Sequence, residues 1–218
     1  MNDGIGEASE SAGMRLNELL TEAGLQALDA ELTKRFETYL SLLLRWNAKI
    51  NLTAIRDEEG ILSRHFVESI ACARALPAGV STLLDLGSGA GFPGIPIALC
   101  RPEIVVTLAE SQGKKAAFLL EAARVLGAAL KVHCGRAETL AMQFDCVTLR
   151  AVDRMQEAVR AASRLIEPSG LLALMTSSAE LGSVQTATGP EFSWSKPIPL
   201  PGSEGRVLVL GNRVSLPS

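Results

Sequence analysis

One stretch constrains this chain more than any other: Leu83-Leu84-Asp85-Leu86-Gly87-Ser88-Gly89-Ala90-Gly91-Phe92-Pro93-Gly94-Ile95-Pro96. An apolar run ends on Asp85, small residues alternate, and an apolar segment restarts behind prolines. That order reads as a buried parallel strand, a tight loop and a helix start. Glycine lacks Cβ, so a ligand can approach the main chain closely there. The N–H groups of the following helix suit an anionic or polar ligand group. Pro93 or Pro96 suits a first helical turn, where no N–H is lost. The spacing also discriminates between ligands. A dinucleotide fingerprint needs G-x-G-x-x-G. The glycines here are Gly87, Gly89 and Gly91, and Phe92 takes the place of the third dinucleotide glycine.

Composition narrows the classes. The chain has 218 residues and is 47% hydrophobic, enough for one large α/β domain with a small appendage. No run of about 18 apolar residues is present, so no membrane span is expected. Met1-Asn2-Asp3-Gly4-Ile5-Gly6-Glu7 lacks a basic region and an apolar core, so it is not read as a secretory signal. Residues 1–12 are expected to form a disordered tail. Cys72, Cys100, Cys134 and Cys146 form no C-x-x-C pair. With only His65 and His133 beside them, no metal site is expected. They read as buried reduced thiols of a cytoplasmic protein. A net charge of −3 argues against a general nucleic-acid binder, so any such surface must be a local patch.

Along the chain, helices are expected near 13–27 and 30–48, the second with Leu32, Phe36, Leu40, Leu43 and Leu44 at helical spacing. Asn47 to Thr53 breaks that pattern, and Asn51 and Thr53 are turn and cap formers. A third helix is expected from about Glu58 to Ala75, ended by Pro77 and Gly79. From Leu83 onward, strand-like runs at 82–86, 104–109, 130–134, 144–149 and 170–175 alternate with helical patterns at 94–101, 113–126, 153–166 and 178–183. This alternation predicts an α/β fold with a mostly parallel sheet. Two further runs, around Phe192-Ser193-Trp194 and over Arg206 to Gly211, predict a terminal antiparallel hairpin.

In an open α/β sheet the ligand lies beyond the carboxyl ends of the strands. The G-x-G-x-G loop there resembles motif I of the S-adenosylmethionine methyltransferases. Glu110 follows Gly91 by nineteen positions, near the spacing at which an acidic residue accepts hydrogen bonds from a ribose. Ala137 and Glu138, after the third strand, could hold an adenine edge. Alternatively Glu138 merely complements a helix dipole. Arg150 ends the fourth strand, and an arginine at the end of a buried strand needs a partner. It is therefore a candidate site residue. Arg45, Lys49, Arg56 and Arg64 could form a basic strip over the N-terminal helices. Lys114 and Lys115, opening a helix, could hold phosphate or could be a solvated face. His65 reads equally as a structural histidine or an RNA contact.

Asn51-Leu52-Thr53-Ala54-Ile55-Arg56-Asp57, Arg64-His65-Phe66-Val67-Glu68-Ser69, the glycine loop, Lys114-Lys115-Ala116-Ala117-Phe118-Leu119 and Arg150-Ala151 occur in that order. Together they resemble the bacterial 16S ribosomal RNA guanine-N7 methyltransferases, the RsmG or glucose-inhibited division protein B (GidB) family, over about residues 30–212. The resemblance implies a Rossmann-like S-adenosylmethionine-dependent methyltransferase fold, with an N-terminal helical subdomain over 13–78 and the cofactor domain over 79–218. It implies S-adenosyl-L-methionine contacts by Gly87, Phe92, Ala137, Glu138 and Arg150, to which the loop and the spacing above add Gly89, Gly91 and Glu110 as candidate cofactor residues. Asn51, Arg56, Arg64, His65, Lys114 and Lys115 would lie on the RNA side, with Arg150 as the catalytic residue. The implied partner is 16S RNA or the small-subunit particle, with a single guanine of the decoding-centre region as target, and the enzyme is expected to be monomeric. The chain departs from the family in three places. Glu68 and Glu110 stand where the family usually has Asp, and Met175-Thr176 replaces a Lys-Gly pair.

Guanine N7 has a lone pair and no proton, so methylation there needs no general base. Orientation alone can contribute on the order of 7–11 kcal/mol. An arginine, Arg150 or Arg56, is expected to donate to the neighbouring O6. A flipped-out or loop guanine is required for access. The competing readings are a methyltransferase of small molecules, a non-catalytic binding module and, more distantly, a dinucleotide oxidoreductase.

Overall fold

The computed structural model describes residues 11–150 and 155–214. The tail expected over 1–12 thus lies outside the described residues as far as residue 10, as does Ala151. Ser11 already caps helix α1 (Ala12–Glu22), its hydroxyl accepting from the Met14 N–H. Helix α1 ends five residues before the expected position. Gly24 adopts φ 70°, a left-handed conformation that terminates helices cheaply. Helix α2 (Ala30–Asn47) is capped by Asp29. The third expected helix is present in three consecutive pieces. A short α3 (Glu58–Gly60) runs into a π-helical segment, Ile61–Val67, and then α4 (Glu68–Ala75).

The sheet has the expected parallel core and antiparallel end. Strands β1 (Thr82–Leu86), β2 (Val105–Glu110), β3 (Leu130–Cys134), β4 (Phe144–Arg150) and β5 (Ile166–Ser177) pair in parallel. Strand β8 (Arg206–Arg213) runs antiparallel to β5 and carries β6 (Phe192–Trp194) and β7 (Ile198–Pro199) on its other edge. The order is β3-β2-β1-β4-β5-β8-β6. Helices α5 (Gly94–Cys100), α6 (Gly113–Leu126), α7 (Met155–Leu165) and α8 (Leu181–Thr188) connect the strands.

Strands buried on both faces read as continuous apolar runs, and alternate residues build two cores here. Leu83, Leu108, Cys146, Ala173, Met175 and Leu208 face one cluster. It also takes Leu16, Phe36, Leu40, Leu43, Phe66 and Ile70 from the N-terminal helices. Leu84, Val147, Leu149, Leu172, Leu174 and Val209 face the other, with Val159 and Ala162 of α7. The N-terminal helices therefore share a core with the sheet, which fixes them over one of its faces. Cys72 and Cys146 are buried thiols as expected, but Cys100 is half-buried and Cys134 is exposed. Cys134 ends β3, the edge strand, where one side of the sheet meets solvent. Among the described residues, no helix is long and apolar enough to cross a membrane.

Candidate active site

Strand order reverses between β1 and β4, since β1 leads outward to β2 and β3 while β4 lies on its other side. The crevice at this switch is where open α/β sheets bind ligands. The glycine loop sits there, with φ of 74° at Gly87, 56° at Gly89 and 92° at Gly91. All three values lie in the left-handed region that side chains with a Cβ avoid. A Cβ on Gly91 would strike Ile95 and lie 2.9 Å from the Tyr39 hydroxyl, whereas one on Gly89 would meet only the Gly87 carbonyl, at 3.8 Å. Gly91 is thus required by packing, and Gly89 keeps the loop surface bare.

Two buried groups brace the loop from behind. Asp85 accepts hydrogen bonds from the Gly94 N–H at 3.2 Å and from the Thr148 hydroxyl at 2.8 Å. Burial pushes this carboxyl up to about 6, against those hydrogen bonds. Tyr39 of α2 donates its hydroxyl to the Ala90 carbonyl at 2.6 Å and stacks on Phe66. Burial raises the Tyr39 phenol well above its ordinary value, so it stays a donor.

Glu110 ends β2 as expected. Its carboxylate accepts from the Gly89 N–H at 3.0 Å and the Gln112 N–H at 2.7 Å. It borders two cavities. The smaller, about 400 Å³, is lined by Gly87, Ala109, Glu110, Ala137, Glu138 and others. The larger, about 570 Å³, takes its walls from the glycine loop, Phe92, Leu52 to Ile55, Arg64, His65, Lys115, Arg150 and Arg206. Gly87, Glu110 and Ser111 belong to both.

Arg150 ends β4 with its guanidinium buried, and the partner its burial demands is Glu68, itself fully buried. Arg150 Nη2 donates to Glu68 Oε2 at 2.8 Å and to the Arg64 carbonyl at 2.6 Å. The same nitrogen lies 3.1 Å from His65 Nδ1. Burial lowers the Arg150 guanidinium while Glu68 holds it up. Nη1 is buried without a hydrogen-bond partner among the described residues. The other Glu68 oxygen accepts from the Ser203 hydroxyl at 2.6 Å and lies 3.3 Å from Arg206 Nε.

His65 is held on every side. It stacks on Phe92 at 4.7 Å, its Nδ1 faces Arg150, and its Nε2 lies 2.7 Å from Thr53 Oγ1. An arginine can only donate, so Nδ1 is the acceptor and Nε2–H donates to Thr53. Burial and the Arg150, Arg64 and Arg206 charges push His65 down to about 3. It is a neutral brace that also lines the larger cavity.

The shift has a thermodynamic consequence. An unfolded histidine near 6.5 binds a proton that the folded His65 refuses, so its contribution to stability is present above pH 6.5 and lost as pH falls toward 3. Asp85 works the other way between about 6 and 3.8, because its raised value favours the folded state as it protonates. Subtracting the urea-unfolding profile of His65→Gln from that of the wild type isolates the histidine. The wild type should lose about 2 kcal/mol more than the variant between pH 7 and pH 4, allowing for partial solvent access.

The remaining expected residues divide. Arg64, His65 and Lys115 line the larger cavity, whereas Asn51, Arg56 and Lys114 do not. Asn51 and Arg56 bond each other at 2.7 Å on the exposed surface. Their loop is set by Asn47, whose side-chain oxygen accepts from the Leu52 and Thr53 amides. Arg45, expected on a basic strip, pairs instead with Glu121 of α6, which also accepts from the Trp46 indole at 2.8 Å. Glu68 stands in the sequence as a departure from the family pattern, but nothing in the pattern marks it as a hub. Ser203 and Arg206 belong to no motif and join the site only through the fold.

Comparison with known proteins matches this arrangement. Residues 32–193 fit the family model described as rRNA small subunit methyltransferase G. The chain is 38% identical over 205 residues to the ribosomal RNA small subunit methyltransferase G of Roseiflexus sp. (strain RS-1), covering 86% of each chain. It is 45% identical over 159 residues to the protein of that name from Stenotrophomonas maltophilia (strain K279a), covering 71% of this chain and 74% of the other. Its fold is similar to that of a ribosomal protein L11 methylase from Lactobacillus delbrueckii subsp. bulgaricus, with a TM-score of 0.57 at 11% identity, over 68% of this chain and 77% of that one. With the switch-point crevice, the bare glycine loop and the buried Arg150–Glu68 pair in place, these matches settle membership: the chain belongs to the rRNA small subunit methyltransferase G family.

Proposed function

We propose that the chain transfers a methyl group from S-adenosyl-L-methionine to N7 of one guanine of 16S ribosomal RNA, in the decoding-centre region, as a cytoplasmic monomer acting on RNA or on the small-subunit particle. The observation that carries this reading is the shared wall, since Gly87, Glu110 and Ser111 border both cavities. A ligand that spans it would have one end among Ala137 and Glu138 and the other facing Arg150 and His65.

The residues present fit S-adenosylmethionine. Glu110 and Glu138 offer acceptors to hydroxyl and amino groups, and the loop around Gly89 offers a main-chain surface that a Cβ would obstruct. When bound, the cofactor supplies an electrophilic methyl on a sulfonium. The chain's own contribution is binding and orientation. Glu110 holds the ribose hydroxyls while its bonds to the Gly89 and Gln112 amides fix its direction. Arg150 is anchored by Glu68 and by the Arg64 carbonyl through Nη2, which leaves Nη1 for the guanine O6. A donor on O6 holds the base while the N7 lone pair stays free. No residue has to remove a proton, in keeping with a His65 held far below its ordinary value.

Cations also support an RNA substrate. Arg64, Lys115, Arg150 and Arg206 line the larger cavity of a chain whose net charge is −3. A small-molecule substrate is the second reading, and salt separates the two. Methyl transfer to small-subunit particles lacking the mark should fall steeply in kcat/KM between about 50 and 200 mM salt, as counterion release requires. A flat salt profile, with transfer to small acceptors instead, would overturn the RNA reading.

A further inference from the structure

We infer that Arg206 is a second arginine of the substrate site and takes a backbone phosphate of the RNA beside the target base; the inference rests on the RNA reading above. Arg206 opens β8. That strand runs antiparallel to β5, so its first residue pairs with Ser177 at the last position of β5 and lies at the carboxyl edge of the parallel strands. The sheet order thus delivers a cation to the site from the end of the chain.

Its anchoring leaves it available. Nε is buried 3.3 Å from Glu68 Oε1, while the side chain as a whole keeps 23% exposure and lines the larger cavity. No terminal nitrogen of Arg206 makes a hydrogen bond among the described residues. Ser203, three residues earlier, donates to the same Glu68 oxygen at 2.6 Å and ties the preceding turn to α4. A single buried carboxylate therefore serves two guanidiniums beside the larger cavity, with Glu180 acting on Arg206 only through its charge. That is the electrostatics of an anion site built from planar donors.

Position selects the anion. Arg206 lies on β8, four strands from β2 and so about 19 Å across the sheet from the strand that carries Glu110. It is absent from the smaller cavity, where Ala137 and Glu138 lie. A group reaching it has passed Arg150, which places it on the substrate side. RNA offers a phosphate there.

The test uses the full-length protein, small-subunit particles lacking the methyl mark, and S-adenosylhomocysteine as the calorimetric probe. Arg206→Ala should raise KM for the particle about tenfold, leave kcat within about threefold, and make the slope of log kcat/KM against log salt shallower by about one. S-adenosylhomocysteine affinity should not change, and Arg206→Lys should recover most of KM and slope. Three results overturn the inference. One is an unchanged KM and slope on an active wild-type background. Another is weakened S-adenosylhomocysteine binding with KM intact, which would assign the anion to the cofactor's carboxylate. The third is an Arg206→Lys variant as impaired as Arg206→Ala and equally destabilised, which would make Arg206 a brace for Glu68. If the wild type itself transfers no methyl to the particle, the RNA reading fails before Arg206 is tested.

Discussion

Glu68→Ala should destabilise the protein by about 3–5 kcal/mol, because it leaves Arg150 buried without its ion-pair partner. Three groups lose their acceptor or their countercharge at once: Arg150 Nη2, the Ser203 hydroxyl and Arg206 Nε. For a chain of this length the loss corresponds to a fall of about 10 °C in Tm. Catalysis should suffer further in the fraction that stays folded. Arg150 would lose the bond that aims its free nitrogen, and misplacement by about an ångström can cost a hundredfold in rate. S-adenosylhomocysteine affinity should stay within a few-fold at low temperature, because Glu68 lines neither cavity. Glu68→Gln keeps the shape and one acceptor but not the charge, and should fall between wild type and alanine in both readouts. Urea unfolding and single-turnover methyl transfer measure the two effects. A Glu68→Ala protein with wild-type Tm and rate would refute the hub.

The glycine loop gives the second large effect, and its positions should separate. Gly89→Val places a Cβ in open space, with only the Gly87 carbonyl at 3.8 Å, at the cost of a left-handed conformation. The variant should fold with a loss of about 1–2 kcal/mol, yet bind S-adenosylhomocysteine at least a hundredfold more weakly. Gly91→Val adds a collision with Ile95 and the Tyr39 hydroxyl. It should lose about 3 kcal/mol or more together with binding. Gly113→Ala at the start of α6 meets nothing within 4 Å and should leave both properties intact. Calorimetry beside thermal melts distinguishes the three. A Gly89→Val protein that binds normally would mean that the bare loop is not a ligand surface.

What can be read in the sequence is what is local. The run from Leu83 to Pro96 declares strand, loop and helix because each signal lies within a few residues of the next. Arg150 is legible for a different reason, since a charge ending an apolar run must find a partner. The partner is 82 residues away on another element, and nothing in the pattern near Glu68 points to it. Arg206 carries a mirrored form of the Arg150 signal, a charge at the start rather than the end of the run Val207 to Leu210. Only the antiparallel pairing of β8 brings a strand's first residue to the same edge as the other strands' last, so the pattern alone does not place it at the site. The expected basic strip loses one member for a related reason. Arg45 lies on α2 where α6 packs, so Glu121 captures it. His65 can be read either way until Phe92, Thr53 and Arg150 close around it. The π-helical turn over Ile61–Val67, which sets where Arg64, His65 and Glu68 point, breaks no sequence pattern: the stretch has neither glycine nor proline.

The most direct test of the central claim is to locate the methyl group. Small-subunit particles lacking the mark are incubated with the purified protein and labelled S-adenosylmethionine, and the RNA is then cleaved chemically at N7-methylguanine. The wild type should give one new cleavage site in 16S RNA, with label and cleavage at the same guanine, and Arg150→Ala should give none. Label on any other atom or molecule, or an undiminished site with Arg150→Ala, would contradict the account.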